Sequence, residues 1–197
     1  MKRVILAIFL SFIPLLASAD KIDAIPDRIK MLSENLNHAS VSFVQTKIMP
    51  ESTKRFTSTG KIKFIKNVGV KWMQIKPTTK TFISTTDKYC SDDGVVQDLS
   101  DLPHFSYVKN TIDDMLNGDM TRFLYAFDVD YTESEKDTSW HMVSTPTISG
   151  ISDLIQNITI YGTTTRISKI ILTYHNGTIL ILEFTILKSE ITDEIKC

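Results

Sequence analysis

GKIKFIKNVGVKWMQIKP, residues Gly60–Pro77, alternates polar and apolar side chains on both sides of a turn. Lys61, Ile62, Lys63 and Phe64 have the period-two pattern of a strand, with Ile62 and Phe64 on one face. Asn67, Val68 and Gly69 tolerate turn geometry, and a second strand follows through Val70, Trp72 and Gln74. Pro77 stops that strand because it has no N–H to give to a ladder. The product is a hairpin with one apolar face, a tryptophan at its middle and lysines on the other side. It holds no nucleophile, no clustered carboxylates and no phosphate loop. It is a wall.

The chain continues outward from this hairpin in strands. Val41–Ile48 reads as a strand before it, Arg55 leads into it, and the Thr-rich stretch Thr79–Tyr89, carrying Phe82, follows it. Asp92-Asp93-Gly94 signals a turn and Val95–Gln97 a short strand. So many consecutive strands argue for an antiparallel meander. Strands return at Phe127–Thr132, Trp140–Ser144 and Ile155–Tyr161. Ile167–Tyr174 and Ile179–Leu187 then flank Asn176-Gly177, the pair preferred in a type I′ turn. Ile179–Leu182 is apolar on both faces, so each face needs cover. About ten strands against a few short helices predict a mainly β (α+β) protein built on one strongly curved antiparallel sheet.

Ile22, Ile25, Ile29, Leu32 and Leu36 recur at three- and four-residue steps. That stripe predicts an amphipathic helix near residues 24–38, with Pro26 tolerated in its first turn. Thr111–Asp114 resembles a capping box, and Ile112, Met115 and Leu116 begin another apolar stripe. Gly118 breaks it, and Asp119 can cap a further short helix carrying Met120, Phe123, Leu124 and Phe127. These helices are expected on the concave side of the sheet. No repeat, low-complexity tract or linker divides the chain, so residues 20–197 read as a single domain.

Residues 1–19 stand apart. Lys2 and Arg3 precede an apolar run from Val4 to Leu16, and Ala17-Ser18-Ala19 offers the cleavage pattern of a secretory signal peptide. The run is too short for a spanning helix. No cysteine follows the cleavage site, so N-terminal lipid attachment is not expected. The expected mature protein is exported, soluble and located in the periplasm. The formal net charge of the chain is -1, which provides no global basic field for nucleic acid.

The search for chemistry is mostly negative. His38, His104, His141 and His175 have no H-x-x-x-H spacing and no neighbouring cysteine, which argues against a zinc site. No Gly-x-Ser-x-Gly elbow positions a serine, and no phosphate loop or Rossmann fingerprint occurs. The expectation is no metal, no cofactor and no catalysis. Lys61, Lys63, Lys66, Lys71, Lys76 and Lys80 form the one charge cluster, either the solvated face of the hairpin or a docking patch for an anionic membrane or partner.

Phe43-x-Gln45, Gly60 twelve residues before Trp72, Pro77 and Asp93-Gly94 together resemble the LolA-like periplasmic lipoprotein carriers. Leu116-x-Gly118-Asp119, Phe127-x-Val129, Trp140, Thr145-Pro146 and the Asn176-Gly177 hairpin are similar to the shorter, LolA-related branch. The resemblance implies an unclosed β-barrel with helices as a lid over a hydrophobic cavity that accepts acyl chains. Wall and lid would then come from Phe43, Ile62, Phe64, Trp72, Phe82, Met115, Met120, Phe123, Leu124 and Leu182. Where longer carriers have a basic-Pro pair coupling lid to barrel, this chain has Lys66 and Asn67. Lysine keeps the charge but lacks the planar five-donor fork. The implied function is transfer of an acylated lipoprotein or lipid by a monomer, from an inner-membrane transporter to an outer-membrane acceptor. The alternative is an envelope-sensing module that signals through a protein partner, as a related fold does in periplasmic stress regulators.

Cys90 and Cys197 are the only cysteines. In an oxidising compartment an even pair is compatible with one disulfide, and two independent thiols are the other reading. A bridge closing a loop this long contributes about 4 to 5 kcal/mol on the chain-entropy model. It requires the tail after Lys188 to return to the strand holding Tyr89. The bridged protein should run faster on a non-reducing denaturing gel and show no alkylatable thiol before reduction. Equal mobility with two reactive thiols would rule the bridge out.

Overall fold

The computed structural model of the protein describes residues 25, 27, 30–32, 38–52, 54–85, 88–91, 96–98, 110, 114, 117 and 119–186. In chain order, β1 (His38–Ile48), β2 (Arg55–Ile65), β3 (Gly69–Lys76), β4 (Lys80–Thr85), β5 (Lys88–Ser91) and β6 (Val96–Asp98) form one meander. After the helix α1 (Thr121–Ala126) come β7 (Phe127–Glu133), β8 (Trp140–Pro146), β9 (Ile155–Gly162), β10 (Ile167–Tyr174) and β11 (Ile179–Ile186). These eleven strands make a single sheet in the order β6-β5-β4-β3-β2-β1-β11-β10-β9-β8-β7. Each neighbouring pair is antiparallel, and β1 against β11 joins the two meanders.

The sheet is not closed, since β6 and β7 stand at its two edges. They are also consecutive strands in the chain. Helix α1 lies between them in the chain and packs on the apolar face. Met120, Phe123 and Ala126 are buried in one cluster with Phe127, Tyr131, Trp140, Met142, Ile151 and Ile160, and Ile25 and Leu32 from the N-terminal helical segment join them.

Two glycines allow that face to be lined by large rings. Phe43 lies opposite Gly60, and Trp140 opposite Gly162. A Cβ on Gly60 would come within 2.6 Å of the Phe43 ring and would also run into the Met73 carbonyl oxygen. A Cβ on Gly162 would meet Trp140 in the same way, 2.6 Å from Cε2 of its indole. Each ring thus lies flat over the backbone of its partner strand. The Trp140 N–H is satisfied by the Thr163 carbonyl at 2.9 Å. Irregular registers at Thr59/Gly60 on β2 and Ile167/Lys169 on β10 bend the strands near these rings.

Helix α1 is short and is held from both ends. Asp119 N–H donates to the Asp114 carbonyl at 2.8 Å, which stops the preceding helical turn. The Asp119 carboxylate then accepts the Thr121 N–H at 2.8 Å, so the residue expected to cap this helix does hold a first-turn donor. Hydrogen bonds from the Thr121 side chain and backbone hold the Asp119 carboxyl below its ordinary value of 3.8. At the other end Thr147 N–H and its hydroxyl both donate to the Ala126 carbonyl. Arg122 Nε meets the Asp114 carboxylate at 2.9 Å and ties the two helical pieces together.

Several expectations need correction or fall elsewhere. β1 begins at His38, so the first helix ends before the residue 38 expected for it. The last hairpin has no type I′ turn, because Gly177 (φ 79°) takes a positive φ and Asn176 does not. Gly177 N–H donates to the Tyr174 carbonyl and Tyr174 N–H to the Thr178 carbonyl, both at 2.9 Å, while the Asn176 side chain accepts the Thr178 N–H at 3.0 Å. That is a three-residue type of loop with glycine at its left-handed position. The doubly apolar β11 is covered laterally: on its second face Ile179 and Ile181 stand opposite Ile48 and Ile171. Cys90 is buried and disulfide-bonded. Cys197, the expected signal peptide, Asp92-Asp93-Gly94 and Met115 lie outside the described residues. Among those residues no helix is long and apolar enough to cross a membrane.

Gly60→Ala should destabilise the protein by about 1 to 3 kcal/mol through overpacking against Phe43 and the β3 backbone, read from the denaturant midpoint. The capping carboxylate adds a pH dependence. Because its folded pKa is depressed, Asp119 stabilises above the ordinary carboxylate range and loses that contribution as pH falls through and below it. Asp119→Asn should flatten this limb of the thermal-midpoint profile without changing the alkaline side. An unchanged acid limb would mean that the cap does not hold α1.

Candidate functional site

Register decides which side chains can meet one ligand, because directly opposed residues project from the same face. Trp72 stands between Ile62 and Phe82, and Phe64 opposite Val70. One step along, Phe43 stands between Gly60 and Phe184. At the next step Gln45 stands between Ser58 and Leu182, and the row continues through Ile170 and Ile160 to Met142. Phe43, Ile62, Phe64, Trp72, Phe82 and Leu182 therefore share one face with the core residues of β7–β9. Lys61, Lys63 and Lys71 project from the opposite, convex face, and Lys63 faces Lys71 directly. Lys80 departs from that pattern: it pairs with Gln74 at the exposed end of the concave face.

Cover over this face is uneven. Above β7–β9 it is complete: Met142 and Trp140 are 0% and 3% exposed beneath Met120 and Phe123, with Leu124 packed alongside. Phe123 stacks on Phe127 with ring centroids 4.5 Å apart, so it belongs to the core under α1. Across β2–β4, by contrast, Ile62, Val70, Trp72 and Phe82 are only half-buried. Phe43 is buried between them and β11, its ring centroid 4.4 Å from that of Trp72 at an interplanar angle of 41°. The floor is thus sealed on one side and partly open on the other. Lys66 stands half-buried in the β2–β3 turn.

The open part of the floor carries no acid, base or metal ligand. On the concave face of β1–β4, no carboxylate or histidine occurs, and Lys47 and Lys80 stand exposed at its end. No group of three His, Cys, Asp or Glu among the described residues could hold a metal ion. What the floor can do is make apolar contacts and a few hydrogen bonds.

Those hydrogen bonds come from side chains that sequence reasoning passed over. The hydroxyls of Ser58, Ser84 and Ser144 are buried without a hydrogen-bond partner. Register places all three on the concave face, on β2, β4 and β8. A buried hydroxyl left unpaired costs about 1 to 3 kcal/mol, and no local pattern in the sequence marks it. Tyr131, Met142 and Ile160 were missed as floor residues too, although the alternation within β7, β8 and β9 contains them.

No protein-family model matches the chain, and no curated protein matches it. Among solved structures it is similar to MucB, at 14% identity and a TM-score of 0.53, over 92% of this chain and 64% of the MucB chain. It is also similar to a LolA superfamily protein from Nitrosomonas europaea, at 10% identity and a TM-score of 0.42, over 83% of this chain and 93% of that one. The MucA/MucB complex of Pseudomonas aeruginosa matches at 13% identity and a TM-score of 0.44, over 81% of this chain and 54% of that one. At these identities the likeness is one of fold, and this chain shares the fold of MucB.

Proposed function

We propose that this protein is a periplasmic carrier that holds the acyl chains of a lipoprotein or lipid against the concave face and passes them between membrane-bound partners. The observation that carries the reading is the half-open floor of Ile62, Val70, Trp72 and Phe82 beside the sealed core under α1. An acyl chain gains about 0.8 kcal/mol per buried CH₂, so such a floor needs neither catalysis nor a cofactor. Release requires an acceptor that binds the cargo better, or movement of the short helical cover on docking.

A second reading is favoured by the fold shared with MucB, a protein whose structure is also known in complex with MucA. On that reading the concave face or its rim senses an envelope signal and a protein partner takes it up. The two differ in outcome: a carrier hands acylated cargo to an acceptor membrane, whereas a sensor retains it or binds none.

Ile62→Asp places a carboxylate on the half-open floor and should weaken displacement of a fluorescent fatty-acid probe by roughly tenfold or more through the desolvation of an unpaired charge. Lys61→Ala, one residue away on the convex face, should leave probe binding unchanged. Binding by neither wild type nor variant, with both folded by circular dichroism, would remove the carrier reading. Lipid extraction with native mass spectrometry identifies what wild type carries.

A further inference from the structure

We propose that the half-open floor recognises the carbonyl of an acyl linkage as well as its hydrocarbon, with Ser58 donating the hydrogen bond and Gln45 beside it as a second donor. This inference rests on the acyl-binding reading and deepens it. Ser58 is 7% exposed and its hydroxyl has no hydrogen-bond partner. Gln45 is its cross-strand partner, half-buried, on the same concave face. Two adjacent hydrogen-bonding side chains thus stand beside the rings of Phe43 and Trp72.

Their place along the strand gives the site a direction. One register step outward from Ser58 stand Phe56 and Lys47, both exposed, and Lys80 is exposed at the same end of β4. In the other direction lie Gly60 under Phe43, then Ile62 beside Trp72, then Phe64. The six strand steps from Ser58 to Phe64 span about 20 Å, the length of a long fatty acyl chain. A chain laid along this line has its hydrocarbon on the rings, its carbonyl at Ser58 and its polar remainder outside, near the lysines.

The other two unpaired hydroxyls fit less well. Ser144 is fully buried between Val129 and Ile158, beneath the core that α1 seals. Ser84 lies at the far end of β4, between Val70 and Tyr89. Ser58 alone of the three combines nine-tenths burial with a place between the aromatic floor and an exposed polar end.

The carbonyl is shared by free acylglycerols and by the lipid of a lipoprotein, so the test isolates it first. Diacylglycerol and its ether-linked dialkyl counterpart of equal chain length compete against a fluorescent fatty-acid probe on the purified protein. Wild type should prefer the ester by about three- to tenfold, the range of one net hydrogen bond. Ser58→Ala should weaken ester binding to the level of the ether while leaving ether binding and the thermal midpoint intact or raised. Gln45→Met, close in volume, should narrow the preference in the same direction. A diacylated cysteinyl peptide run beside diacylglycerol should show the same Ser58 dependence, and the tighter of the two identifies the source. Equal ester and ether binding by wild type, or an ester preference that survives Ser58→Ala, overturns the carbonyl site while leaving acyl binding standing. Failure of every lipid to displace the probe overturns both.

Discussion

An aromatic ring laid over a cross-strand glycine, once in each meander, is the contact on which the rest of the molecule depends. Phe43 over Gly60 and Trp140 over Gly162 place the bulkiest side chains of the concave face directly against backbone. A strand loses side-chain packing wherever it contains glycine, and a neighbouring ring restores it. The same arrangement lowers the floor locally, since the ring occupies the volume that a Cβ would have filled. A wide open sheet can then bend around an interior without crowding its inner face.

Topology supplies the cover. Helix α1 lies in the chain between β6 and β7, the two edge strands, and its Met120, Phe123 and Ala126 pack against Tyr131, Trp140, Met142 and Ile160 of the concave face. It covers the part of the floor over β7–β9. The remaining half, across β2–β4, is left with side chains that are neither solvated nor fully enclosed, a condition suited to a ligand that is itself apolar.

Among the described residues two carboxylates are held below their ordinary values, Asp119 at a helix start and Asp137 in the β7–β8 loop, where hydrogen bonds from Thr121 and Ser139 account for them. Neither faces the open floor. The polar side chains that do face it are Ser58, Ser84, Gln45 and Gln74, with Lys47 and Lys80 exposed at its end.

Much of this was legible in the residues. Period-two alternation in Gly60–Trp72 located the central hairpin and the face shared by Ile62, Phe64 and Trp72, because side-chain direction in a strand is a local property. The three- and four-residue spacing of Ile25 and Leu32, and Asp119 ahead of Met120 and Phe123, likewise marked helices that bury those positions. Local pattern could not say that β1 pairs with β11, which brings Phe43 beside Phe184 and Gln45 beside Leu182 from opposite ends of the chain. Nor could it say that Phe123 would be sealed on Phe127 while Trp72 stayed half-open, or that Ser58 would be buried unpaired. Each of those depends on where a segment distant in sequence comes to rest. The sequence by itself determined the strands, their inward faces and the hairpin; only the tertiary structure decided which part of the inward face is covered, because burial is a property of the neighbour and not of the residue.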